Sequence, residues 1–139
     1  MLNRLTIHEL TTQLARGEVS SRNVMQACLD RIANVLRSFP DLVAITGSQG
    51  SNPLDRYAWP LVEKYSNLIF DTSSYLVDSG IEEFCRRYSC SRLIFGSGFP
   101  DNAGGAAMMM LAHAEISQIE KRAIACDNLC RILGDVCLE

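Results

Sequence analysis

Tyr65-Ser66-Asn67-Leu68-Ile69-Phe70-Asp71-Thr72-Ser73 is a short apolar run entered from polar residues and left through small polar ones. The pattern recurs as Tyr88-Ser89-Cys90-Ser91-Arg92-Leu93-Ile94-Phe95-Gly96-Ser97, and more loosely as Phe39-Pro40-Asp41-Leu42-Val43-Ala44-Ile45-Thr46-Gly47-Ser48. Each copy follows a stretch of helical character. A short apolar run without alternation reads as a strand buried on both faces, which belongs in a parallel sheet covered by helices. The onsets Leu42, Leu68 and Leu93 are almost evenly spaced, as repeated strand–helix units require. Right-handed crossovers place the exits of such strands on one edge, and chemistry in these sheets sits at that edge.

The segments around the strands carry helix signals. Thr6 and Glu9 form a capping-box pair, Ile7, Leu10 and Leu14 mark an apolar face, and Gly17 ends the helix. Ser20 or Ser21 opens a second helix with Met25, Cys28, Leu29, Ile32 and Leu36 at helical spacing, stopped by Phe39-Pro40. The division expected is a helical hairpin over 1–36 and an α/β domain over 37–139. Within the latter, Leu54 to Tyr65 reads as a helix with Trp59-Pro60 near its start. Ser79 and Glu82 read as the capping box of a helix reaching about Tyr88. A helix is predicted from about Ala103 to His113, another is capped by Ser117 and Glu120, and Asp127 to Leu133 continues or restarts it before Gly134.

Composition narrows the partners. The formal charge is −3 with no basic stripe interleaved with aromatics, so nucleic acid is not expected. No apolar run reaches bilayer length and the opening residues lack a secretory core, so the expectation is a cytoplasmic protein without a membrane partner. The six cysteines are then expected reduced. Cys85 and Cys90 are too far apart for a Cys-x-x-Cys knuckle. Cys126 and Cys130 share one helical face with Cys137 beyond it, but no histidine or second close pair completes a thiolate metal site. Small buried hydrophobes are the expected role.

The exits hold the candidate chemistry. Gly96-Ser97-Gly98 before a helix suggests a phosphate cradle, yet a dinucleotide fingerprint needs glycine where Asp101 stands, and Pro100 removes an amide donor. Ser97 has glycine directly on both sides, which is not the spacing of a hydrolase elbow. A plain tight turn is the competing reading. Asp71, followed by Thr72, Ser73 and Ser74, has the place of a metal ligand or base, or of a local cap for its loop. His8 and His113 both fall in helices away from the exits, without a partner at ligand spacing.

The stretches "WPLVEKYSNLIFDTSSYLVDSGIEEFCRRYSCSRLIFGSGFP" and "AHAEISQIEKRAIACDNLCRILG" give residues 39–134 a resemblance to the C-terminal part of amidohydrolase-related (amidohydrolase 2) proteins of the metal-dependent hydrolase superfamily. That resemblance implies a (β/α)8 barrel and metal-dependent hydrolysis, or decarboxylation, of a small molecule. The three strands here would be the last three of the barrel. The fold class expected is therefore α/β, a partial (β/α)8 (TIM-type) barrel of about three parallel strands preceded by an α-helical hairpin. The family's last strand ends Phe-Gly-Ser-Asp-x-Pro with the aspartate at the metal. Here Phe95-Gly96-Ser97-Gly98-Phe99-Pro100 puts Gly98 at that position, and the first exit, Thr46-Gly47-Ser48, offers no histidine. The opening "LTIHELTTQLARGEVSSRNVMQACLDRI" resembles instead the N-terminal helices of amidase signature enzymes. Their Lys-Ser-Ser triad has no counterpart here, because Ser73-Ser74 lacks the Gly/Ser-rich setting.

Two functional expectations follow. In the first, the chain is an amidohydrolase-related protein with incomplete chemistry. Its catalytic candidates are Asp71, Ser97 and Asp101, and Thr46, Ser48, Ser73 and Ser97 face a small-molecule substrate at the strand exits. No metal ligand and no cofactor is expected in this chain, although zinc or another divalent metal serves the family. In the second, the chain is a non-catalytic α/β interaction module that assembles with itself or a partner through an exposed sheet edge.

Overall fold

The computed structural model describes residues 2–46, 55–73, 78–101 and 103–134. The chain divides into two compact units, Met1–Pro40 and Asp41–Glu139. In the first, α1 (Ile7–Ala15) starts at a complete capping box. The Glu9 N–H donates to the Thr6 hydroxyl at 3.2 Å and the Thr6 N–H donates back to the Glu9 carboxylate at 2.8 Å. The Thr6 N–H and then the Thr6 hydroxyl hold the Glu9 carboxyl below its ordinary value. Gly17, at φ +70°, lets the chain turn off α1. Ser20 caps α2 (Ser21–Ser38), with Asn23 closing the box. α1 buries none of its residues and α2 buries only Leu36.

The second unit is mixed α/β. Its strands β1 (Ala44–Thr46), β2 (Leu68–Asp71) and β3 (Leu93–Ile94) form one parallel sheet in the order β1-β2-β3. Ala44 lies opposite Leu68, and Phe70 opposite Leu93, so all three strand exits share one edge. The helices are α3 (Asp55–Lys64), α4 (Gly80–Tyr88), α5 (Gly105–His113), α6 (Gln118–Arg122) and α7 (Asn128–Leu133), the last two joined by a π-helical turn over Ala123–Asp127. Leu68, Ile69 and Phe70 are buried in the central strand, as a parallel sheet with covered faces demands. Phe84 of α4 is fully buried and stacks on Phe70 with ring centroids 5.3 Å apart. Val62, Leu93, Leu111 and Ile124 complete this core.

Arg92 ties α3 to the sheet. It closes the short 3-10 turn Cys90–Arg92, and its guanidinium donates to the carbonyls of Val62 at 2.7 Å, Tyr65 at 2.6 Å and Leu68 at 2.7 Å. Val62 lies in the last turn of α3 and Tyr65 directly follows it, where helix-end carbonyls lack intrahelical partners and the helix dipole favours a cation.

The outer edge of β3 is closed by the π-turn. Ile94 gives its carbonyl to the Thr72 N–H on the β2 side, so the Leu93 carbonyl and the Phe95 N–H point to the outer flank of β3. In an α-helix the Ile124 carbonyl would accept from the Asn128 N–H, but that N–H reaches back to Ala123 instead. Ile124 is thereby released and accepts from the Phe95 N–H at 2.9 Å. The Asn128 side-chain amide, 5% exposed, donates to the carbonyls of Leu93 and Cys90, both at 2.8 Å. A widened turn and one asparagine thus occupy the groups that a further strand would use.

Several sequence expectations need correction. The run Leu42–Thr46 is not buried on both faces: β1 is an edge strand, Ile45 is 46% exposed, and Leu42 and Val43 are exposed as well. Pro60 sits in the interior of α3, not near its start. Ser79 does not cap α4, because its backbone is left-handed at φ +53° and its side chain makes no capping bond. Glu82 instead accepts the Glu115 N–H at 2.7 Å. Cys85 and Cys90 are joined in a disulfide that fastens the end of α4 to the turn before β3. Cys28, Cys126 and Cys130 are free thiols on the surface rather than buried hydrophobes. No helix among the described residues is long and apolar enough to cross a membrane.

Candidate functional site at the strand exits

The exit of β2 begins with Asp71, whose carboxylate oxygen Oδ1 accepts the Ser73 N–H at 2.5 Å. This is the local bond through which aspartate shapes a following turn. The same carboxylate lies flat against the start of the next exit. A Cβ on Gly96 would fall onto it, 2.5 Å from Asp71 Cγ, so any side chain there requires the carboxylate to shift. Thr72, 3% exposed, makes the adjoining contact: its hydroxyl accepts the Gly96 N–H at 3.2 Å and lies 3.5 Å from the Gly96 carbonyl oxygen. The two exits are therefore stapled side chain to backbone.

The β3 exit continues as a turn. The Ser97 hydroxyl accepts the Phe99 N–H at 3.3 Å, Gly98 adopts φ +71°, and the Phe99–Pro100 peptide is cis. A Cβ on Gly104 would stand 2.8 Å from the Ser97 Cβ, which brings the start of α5 against the turn. Asp101 is exposed beyond Pro100. At the first exit Thr46 reaches toward the Ile69 carbonyl at 3.4 Å, and Ser48 lies outside the described residues. The arrangement brings together Asp71, Thr72, Ser73, Gly96 and Ser97 at one corner of the sheet edge. His8 and His113 are exposed on α1 and α5.

Sequence reading missed Thr72 and Gly104. Thr72 looked like the first of three small polar exit residues, and nothing local distinguishes a buried hydroxyl that binds a neighbouring strand from one that faces solvent. Gly104 sits in the run Ala103-Gly104-Gly105-Ala106-Ala107, where small residues follow one another and none is marked as the one that meets the Ser97 turn.

Comparison of the chain with protein-family models, with curated proteins and with solved structures returns no match. The class established is thus a helix-rich α/β chain with a three-stranded parallel sheet.

The Asp71–Gly96 contact makes a prediction. Gly96→Ala is expected to cost about 2 kcal/mol from overpacking against the carboxylate. The double variant Asp71→Ala, Gly96→Ala should recover most of that loss, because the obstructing group is gone. Urea unfolding of the four proteins in the cycle measures it, and additive losses would mean that the two residues do not meet.

Proposed function

We propose that the Asp41–Glu139 unit is an amidohydrolase-related segment, built like the last three strand–helix units of a (β/α)8 barrel, whose exits maintain structure rather than hydrolyse a substrate. Asp71 carries this reading. The one carboxylate at the stapled corner is turned onto the Ser73 amide and the Gly96 backbone, and Thr72 is spent on the same backbone. A catalytic divalent metal in such a barrel needs about three protein ligands and an open position. Among the described residues no group of three or more His, Cys, Asp and Glu side chains is placed to hold one. The position of the family's aspartate is Gly98. The described residues at the exits do not fit the family's metal.

The test is metal content and activity together. The purified chain and its Asp71→Asn variant are expected to carry the same metal load, far below one ion per chain at the strand exits. Both should be inactive toward amide, ester and carboxylic-acid substrates with or without added zinc. Stoichiometric metal or hydrolysis that disappears in Asp71→Asn would overturn the proposal. Activity lost instead on Ser97→Ala would point to a metal-free enzyme built on the Ser97 turn.

A further inference from the structure

Cys126 and Cys130 are exposed on the C-terminal arm, and their Sγ atoms stand 3.6 Å apart. The spacing has a local cause. An α-helix makes a turn in 3.6 residues, so a residue four positions on overshoots its predecessor around the axis. The π-turn over Ala123–Asp127 takes more residues per turn and offsets that overshoot, bringing Cys130 more nearly above Cys126. The inward side of the same segment is committed to β3 through Ile124 and Asn128, which fixes the arm while leaving both thiols outside.

The separation selects a chemistry. A disulfide would require about 2.0 Å. Two thiolates on a linear two-coordinate ion with bonds of about 2.3 Å would stand about 4.6 Å apart, whereas one edge of a tetrahedral thiolate site measures about 3.8 Å. The observed 3.6 Å matches the last. We propose that Cys126 and Cys130 form a preorganised dithiol chelate for a thiophilic metal or metalloid centre that accepts two sulfurs at a bent angle. The proposal does not depend on the function assigned to the strand exits. The hydrogen bond with Cys130 pushes the Cys126 thiol above its ordinary value, and ligation through sulfur displaces a thiol proton.

A trivalent arsenical is the cleanest probe, because two thiols satisfy it without a further protein ligand. With phenylarsine oxide, two As–S bonds form, the As–O bond breaks, and the oxygen leaves as water with the two thiol protons; arsenic remains trivalent. The full chain is used without reductant, so that the Cys85–Cys90 disulfide stays closed. One adduct per chain is expected by intact mass, retained in Cys28→Ser and Cys137→Ser and lost in both Cys126→Ser and Cys130→Ser. The thermal midpoint should rise by roughly 5 °C on binding, as for a ligand that prefers the folded arm, and stay unchanged in Cys126→Ser. An adduct that survives either serine substitution, or one that forms without raising the midpoint, overturns the proposal. Circular dichroism of the serine variants keeps a folding defect from being read as lost binding.

Discussion

Arg92→Ala is expected to destabilise the Asp41–Glu139 unit by about 4 kcal/mol. The guanidinium satisfies three carbonyls drawn from the end of α3 and the start of β2, with Nε adding a second, longer bond to Leu68 at 3.2 Å. Each bond to a charged donor contributes about 1.5–3 kcal/mol, and removing the guanidinium withdraws it from three carbonyls in a part-buried place, of which Tyr65 keeps only a longer bond from the Leu68 N–H at 3.4 Å. Burial pushes the guanidinium's pKa down, yet arginine starts so high that it stays charged throughout the usual range. Arg92→Lys should recover only part of the loss, since a single ammonium cannot span carbonyls arranged around a planar fork. Trp59, the chain's one tryptophan, lies in this unit and reports its unfolding by fluorescence. A shift of the thermal midpoint of roughly 15–30 °C is expected from the usual entropy of a domain of this size. A loss below about 1 kcal/mol would show that water replaces the fork without penalty.

Asn128→Leu is expected to cost about 3 kcal/mol. The substitution keeps the branched shape at a larger volume and withdraws both N–H donors, so the Leu93 carbonyl loses its side-chain partner and the Cys90 carbonyl keeps only the Leu93 N–H. Asn128→Asp should be at least as damaging, because an ionised carboxylate offers no donor and faces two carbonyl oxygens. Hydrogen exchange supplies a local readout. The Phe95 amide, which donates to Ile124, should lose protection in Asn128→Leu as the arm loosens from β3. Unchanged protection at Phe95 would place the contribution of Asn128 in the Cys90 turn alone.

These two residues mark the limit of what the sequence discloses. The strands at Leu68 and Leu93 were legible because a compact apolar run bounded by polar residues has few other uses. The capping boxes at Thr6 and Ser117 were legible because each is closed within four residues. Asp71 was legible as a local cap for the same reason. Ser79 shows where that logic fails: the residues of a capping box are present, but the backbone arrives in the left-handed region and the box cannot close. Arg92 and Asn128 read as ordinary polar residues, since their partners lie 24 to 38 positions away. The π-turn left no periodic signature, and the exposure of β1 follows from its place at the edge of the sheet rather than from its own composition. The closeness of Gly96 to Asp71 joins two strand ends that the sequence kept apart.

The closed flank of β3 has a consequence for how this sheet can grow. Main-chain pairing into a filament needs two free flanks on every subunit, so that each addition exposes another acceptor. Here, among the described residues of the Asp41–Glu139 unit, the Phe95 amide and the Leu93 carbonyl are already taken, whereas β1 is the opposite edge strand and Leu42, Val43 and Ile45 are exposed. Two copies that met there would do so through the same strand, related by a two-fold axis. Both outward flanks of the resulting six-stranded sheet would then be occupied, and growth would end at two.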